Sequence, residues 1–248
     1  MEIESLGELL YACNENRLML FKGFGEKTQK NVQDAIEFYF KNQGSHLYAE
    51  IETYAAGVTK KLEEHFKGQQ LAITGEFRRQ LEIINQLEWV ITANSVELKS
   101  FFLANQFTVE TESATSMAFS GPEHIKLIFH LVHPDTFAST LFETSAGEDF
   151  LETCKKKKGW DNTKNAKDEA AIFSSLQIVS PPTYMREQAW QANLDSVPAV
   201  IQPGDIKAII HSHSNWSDGS HTIEEMAKAC IAKGFEYLVI SDHSKSAF

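Results

Sequence analysis

The chain has 248 residues, 42% of them hydrophobic and 23% charged, an ordinary globular composition with room for one large domain or two to three small ones. A net charge of −11 argues against a general nucleic-acid-binding surface, although local patches outweigh net charge. No apolar run approaches a membrane span, and the N-terminus MEIESLGELL is acidic rather than a signal peptide, so a membrane partner is not expected. Cys13, Cys154 and Cys230 lie far apart without metal spacing and read as reduced thiols of a cytoplasmic protein. The basic run Lys155–Lys158 fits either a nucleic-acid patch or a solvated loop.

Leu6, Leu9, Leu10 and Cys13 mark one face of a first helix. After Leu18 and Leu20 comes Phe21-Lys22-Gly23-Phe24-Gly25-Glu26-Lys27-Thr28, then a helix from Glu26 to about Asn42 with Val32, Ala35, Ile36, Tyr39 and Phe40 on one face. Gly23 and Gly25 suit a tight turn, and the amides opening the second helix can bind a phosphate. Gly23, Phe24, Gly25, Lys27 and Thr28 are therefore candidate DNA-backbone contacts. An ordinary interhelical turn is the alternative.

A helix is expected from Ser45 to about Phe66, then strands at Gln70–Thr74 and Ile83–Ile91. Further strands are expected at Phe107–Thr111, Ser116–Ser120 and Ile125–Val132. Helices then follow at Phe137–Phe142, Asp149–Lys156 and Lys167–Leu176. The fold class is α+β, a small mixed sheet backed by helices. Ser180-Pro181-Pro182-Thr183 breaks regular structure, and 179–204 reads as a linker.

The last segment, 205–248, is the most informative. A strand at Ala208–Ile210 leads into His211-Ser212-His213, and Asp218 follows five residues later. A helix at Ile223–Lys233 and a strand at Tyr237–Ile240 deliver Asp242-His243. This is a βαβ unit with imidazoles and carboxylates at the C-terminal ends of its strands. Histidines at i and i+2 of a strand point to one side, so a single metal could bind both.

The pattern HSH, SDG and DHS resembles the opening of a PHP (polymerase and histidinol phosphatase) phosphoesterase domain, an α/β barrel here cut off after two strands. The resemblance implies His211, His213, Asp218 and His243 as ligands of a divalent metal, Mn or Zn. The order of elements, with Leu9–Leu18, the GFGEKT turn and Arg186-Glu187 after Pro181-Pro182, is similar to that of bacterial family X DNA polymerases. That resemblance divides the chain into a helix-hairpin-helix (1–44), a nucleotidyltransferase-like palm (45–132), a thumb-like region (133–178), the linker (179–204) and the start of a PHP domain (205–248). It also implies a piece lacking the family's N-terminal domain and most of the PHP domain.

Polymerase chemistry needs Mg ions clamped by carboxylates. The family's GDxD corresponds to Asn85, Gln86, Leu87 and Glu88, and its third carboxylate to Ile128. Gln86 is neutral and Ile128 cannot bind metal. The family's phosphate-binding GSxRR becomes Gly75-Glu76-Phe77-Arg78-Arg79, in which Glu76 is expected to repel a triphosphate while Arg79 survives. Thr144–Phe150 replaces the family's TGSKEHN. A carboxylate cluster of Glu82, Glu88 and Asp135 is the alternative metal site. The implied function is a DNA-repair protein with an inactive polymerase centre and a PHP phosphoesterase of 3′-5′ exonuclease type, acting on gapped or primer-template DNA. The alternatives are a non-catalytic DNA-binding module and an active polymerase with atypical ligands.

Overall fold

Ser5 opens the first helix, its Oγ accepting the Glu8 amide at 3.2 Å. That helix, α1 (Leu6–Asn14), and α2 (Glu26–Lys41) form an antiparallel-type hairpin pinned by one buried amide. Gln29, 5% exposed, accepts from the Met19 amide at 3.0 Å and donates to Asn16 Oδ1 at 2.8 Å. Replacing Gln29 by alanine should weaken the hairpin by about 1 kcal/mol, since it removes two hydrogen bonds made by a buried side chain to partners that water can reach. Faster amide exchange across α2 is the expected readout. Of the apolar face expected on α2, Ile36 is buried and Val32 half-buried, but Tyr39 and Phe40 are exposed.

The computed structural model describes residues 3–121 and 125–244, so the last four residues of the expected 205–248 segment lie outside it. The remaining elements of the first unit are β1 (His46–Leu47), α3 (Tyr48–His65), β2 (Leu71–Thr74), α4 (Gly75–Arg78), β3 (Ile83–Ile84), β4 (Gln86–Ile91), α5 (Ser95–Ala104), β5 (Thr108–Glu112), β6 (Ser116–Ser120), β7 (Lys126–Leu131), α6 (Phe137–Thr144), α7 (Glu148–Lys155) and α8 (Glu169–Leu176). Five strands form one mixed sheet in the order β2-β4-β7-β6-β5, with β4 and β7 parallel and the other pairs antiparallel. The architecture is thus mixed α+β around a small mixed sheet, as expected.

Strand alternation sorts the sheet into two faces. Leu87, Trp89 and Ile91 of β4, Leu127 and Phe129 of β7, and Met117 and Phe119 of β6 are fully buried in one core with Ile51, Ala55 and Leu62 of α3 and Leu98 and Phe102 of α5. Trp89 stacks on Phe129 at 5.2 Å and donates its indole N–H to Thr59 Oγ1 at 3.0 Å. The other face carries Gln86 and Glu88 of β4 and Ile128 and His130 of β7, all half-buried.

Three expectations are corrected here. The run Ile83–Ile91 is two strands, broken at Asn85: Ile83–Ile84 pairs with His46–Leu47, and only 86–91 joins the main sheet. The helix expected from Ser45 begins at Tyr48 for the same reason. And α5, capped by Asn94 Oδ1 on the Val96 amide at 2.8 Å, was not expected at all.

The second half of this unit packs Phe142, Phe150, Cys154, Ile172, Phe173 and Leu176 into a separate core. Ala192 belongs to that core, and Met185, Arg186 and Gln191 are also buried. The expected linker, 179–204, is therefore packed through its first half, because Arg186 is held by buried partners described below. The chain divides after Val197, into Met1–Val197 and Pro198–Phe248.

The second unit is a βαβ element: β8 (Ala208–Ser212) and β9 (Tyr237–Ile240) pair in parallel through α9 (Ile223–Ala232). A reciprocal capping box starts α9: Thr222 Oγ1 accepts the Glu225 amide at 3.2 Å, and Glu225 Oε2 accepts the Thr222 amide at 2.8 Å. The three cysteines are buried and free, and burial pushes the Cys154 thiol up to about 11. Among the described residues no helix is long and apolar enough to cross a membrane.

Candidate functional site

On the polar face of the sheet, β4 and β7 run parallel with Glu88 beside Ile128 and Val90 beside His130. Glu88 is occupied. Its Oε2 lies 2.8 Å from His130 Nε2, and its Oε1 accepts from Gln86 Nε2 at 2.9 Å. Burial works against the charged carboxylate. The hydrogen bonds from His130 and Gln86, together with the charges of His130 and Arg79, outweigh it and hold Glu88 below the usual glutamate range. One carboxylate, one amide and one isoleucine do not form a divalent-cation site, and here an imidazole lies against the carboxylate.

Because the folded Glu88 is the stronger acid, its contribution to stability is complete above the ordinary glutamate value of about 4.3 and fades as pH falls through its folded value. Wild type should therefore lose its stability advantage over Glu88→Gln in acid urea titrations. An advantage that stays constant between neutral and acid pH would contradict this.

Next to Glu88, β2 ends at Thr74 and is followed by Gly75, which adopts φ +66° and begins α4. A Cβ there would lie 2.3 Å from Glu88 Oε1, so this position takes glycine for both space and conformation. Glu76 is engaged by Asn85. Its Oε2 accepts the Asn85 amide at 2.7 Å and its Oε1 the Asn85 side-chain amide at 3.2 Å. Glu76 thereby has a structural role, holding Asn85 where β3 ends.

The arginines are committed as well. Arg78 donates to Glu169 at 2.5 and 3.1 Å and to Ser145 Oγ at 2.7 Å. Arg186 donates to the same Glu169 at 2.6 Å and to the Pro181 carbonyl at 3.0 Å. Arg79 donates to Glu187 Oε1 at 2.5 Å and to the Thr144 carbonyl at 3.4 Å. Thr74 joins Thr144 and Ser145 through hydroxyl contacts of 2.6 and 2.8 Å. Thr144 and Ser145 are therefore tied to the end of β2. Asp135 is exposed and paired with His133, and it does not join Glu82 and Glu88 in a cluster.

In the helical hairpin, Gly23 takes φ +97° and Gly25 precedes α2 without a side-chain cap. Gly23, Phe24, Gly25, Lys27 and Thr28 are all exposed. Glu26 shares that first turn and partly offsets the helix dipole's pull on an anion.

The second unit brings His213, Asp218 and His243 together. Among the described residues they are the one group of three His, Cys, Asp or Glu whose ligand atoms lie within 4.8 Å of one another. His213 Nδ1 is 2.8 Å from Asp218 Oδ1, His243 Nε2 is 3.6 Å from Asp218 Oδ2, and the two imidazole centroids are 4.5 Å apart. His211, the fourth expected ligand, is outside this group, with its ring centroid 5.4 Å from that of His213. The reason is local: β8 is irregular between Ile209 and Ser212, and His211 adopts φ +63°. The simple i, i+2 geometry of a regular strand does not apply there.

Asp242 fixes this loop. It accepts the Ser214 amide at 2.6 Å, Ser214 Oγ at 2.5 Å and Ser217 Oγ at 2.7 Å, and these bonds, the Ser214 hydroxyl first, hold its carboxyl below the usual range. Asp218 is likewise held down. A desolvation cost is outweighed by its own backbone amide and by His213 and Ser217. Two imidazoles and an ionised carboxylate are a donor set that fits Zn or Mn.

Sequence reasoning missed His130, Glu169 and the anchoring role of Asp242. His130 was detectable as the same-face neighbour two residues after Ile128. Glu169 had no local signal, since its partners are 17 and 91 residues away.

The chain is similar to another protein along almost its whole length. It is 26% identical over 276 aligned residues to DNA polymerase/3'-5' exonuclease PolX of Bacillus subtilis (strain 168), an alignment covering 98% of this chain and 46% of that protein. The similarity supports a distant relationship to the family X polymerase/exonucleases. The chain spans about half the length of the curated relative it matches. No protein-family model matches it.

Proposed function

We propose that this chain is part of a family X-like DNA-repair protein in which the sheet unit is a silent polymerase palm and the βαβ unit contributes a metal-dependent phosphodiesterase site. The observation that carries the first half is the state of Glu88, bound to His130 and Gln86 beside Ile128, where the polymerase reaction would need a cation clamp. The arginines that would take a nucleotide's phosphates are spent on Glu169 and Glu187. The unit is left to hold DNA, through the exposed Gly23–Thr28 turn, on gapped or primer-template structures.

In the βαβ unit, His213, Asp218 and His243 would hold a divalent cation, Zn or Mn. Bound there, the cation would supply charge neutralisation for a phosphate and an acidified water. Asp218 brings the negative charge, kept ionised by its hydrogen bonds. Asp242 and Ser214 orient the loop that presents His213. Hydrolysis at a DNA 3′ end is the activity this arrangement serves.

The test combines cation uptake and primer extension on the same preparation. The chain should take up Zn or Mn in chelator competition, and Asp218→Asn should abolish uptake. It should give neither primer extension nor saturable binding of Mg-dNTP. Primer extension with micromolar dNTP binding would overturn the silent palm, and uptake indifferent to Asp218 would overturn the metal site.

A further inference from the structure

We propose that Trp216 is a stacking platform for the base of an unpaired terminal nucleotide whose phosphate sits at the His213–Asp218–His243 cluster. The inference rests on the phosphodiesterase reading of that cluster and adds the residue that would hold the substrate's terminal base.

Trp216 is 81% exposed, which is rare for the largest apolar side chain. It is three residues after His213 and two before Asp218, so the backbone keeps it within about 7–11 Å of both ligand positions. It is also held in place. Ser214–Ser217 is a turn closed by the Ser217 amide on the Ser214 carbonyl at 3.1 Å, with Trp216 at its third position. The Trp216 amide donates to Ser214 Oγ at 3.2 Å, the Asn215 amide to the His221 carbonyl at 2.8 Å, and the Gly219 amide to the Ser214 carbonyl at 3.0 Å. Ser214 is fully buried and doubly bonded to Asp242. A rigid turn therefore displays an open indole two to three residues along the chain from two of the ligands, and little ordering remains for a bound partner to impose.

An indole recognises flat apolar faces, and a nucleobase next to the scissile phosphate offers one. Paired bases in a duplex have their faces covered by neighbouring steps, so only an unpaired or extruded base can stack. Stacking is blind to sequence, because every base has such a face. The site would thus prefer frayed or displaced single-stranded ends of any sequence.

The test uses the full chain, first assayed for zinc uptake, with a single-stranded thymidine hexanucleotide and an abasic deoxyribose-phosphate hexamer as probes. The thymidine oligomer should quench an indole signal that is present in wild type and missing from Trp216→Phe. The abasic oligomer at equal occupancy should not. Trp216→Ala should weaken binding of the thymidine oligomer by about 5- to 150-fold relative to the abasic one, with zinc uptake unchanged. Normal zinc uptake with no Trp216-dependent quenching, or an equal loss on both oligomers, overturns the stacking proposal and leaves the metal reading standing. Failure of wild type to take up zinc overturns the metal reading on which the proposal rests, and the proposal with it.

Discussion

Glu169→Ala should be among the most damaging single substitutions in the first unit, costing about 3–5 kcal/mol. One carboxylate serves two guanidiniums, Arg78 at 2.5 Å and Arg186 at 2.6 Å, with side-chain exposures of 22%, 19% and 5% for Arg78, Glu169 and Arg186. Burial alone would raise the Glu169 pKa, yet both arginines together hold it below the usual range, so the charged form is the one the fold binds. Truncation leaves two cations in a half-dry site with no counter-charge. The loss is also topological, because Arg78 ends α4, Glu169 opens α8, and Arg186 sits in the segment that covers the helical core. Glu152→Ala is the matched control. Its partner Lys155 is solvent-facing, and such screened surface pairs contribute little to stability. Urea denaturation of the two variants should separate them clearly. Equal stability would mean that the helical subdomain stands without its charge network.

That network also marks the limit of what the sequence could show. The sheet was readable where strands alternate: Leu87, Trp89 and Ile91 face the core while Gln86 and Glu88 face away, and Glu88 lies in register with Ile128. The break at Asn85 was not readable, since it depends on Glu76 taking the Asn85 amide across a turn. The missed helix α5 had its signal, Asn94 followed by Glu97 at the cap and third positions, but its apolar residues run almost continuously and obscure the helical period. In the βαβ unit residue types and spacing singled out His213, Asp218 and His243, which the fold brings together, while the irregular turn of β8 at His211 follows from backbone geometry that no residue pattern announced. Local chemistry was legible; pairings between distant charges were not.

Gly219→Ala should break up the His213–Asp218–His243 cluster, and with it the proposed metal site, while leaving the first unit intact. A Cβ at Gly219 would lie 2.0 Å from the His213 carbonyl oxygen, 2.5 Å from its carbon and 2.8 Å from the Ser214 oxygen. All three are backbone atoms, so no side chain can rotate away and the loop itself must open. Opening it breaks the Gly219-to-Ser214 bond and pulls Asp218 away from His213, whose contact is 2.8 Å. Loss of an outer support of this kind typically lowers metal affinity about 10- to 100-fold, and a displaced ligand should place this variant at or beyond the upper end. Gly204→Ala is the silent control, since a Cβ there meets nothing within 4 Å. Zinc competition assays on both variants, with Asp218→Asn alongside, divide the causes. If Gly219→Ala keeps wild-type affinity while Asp218→Asn loses it, the cation reaches Asp218 without the closed loop, and the turn that displays Trp216 is not part of the metal site's support.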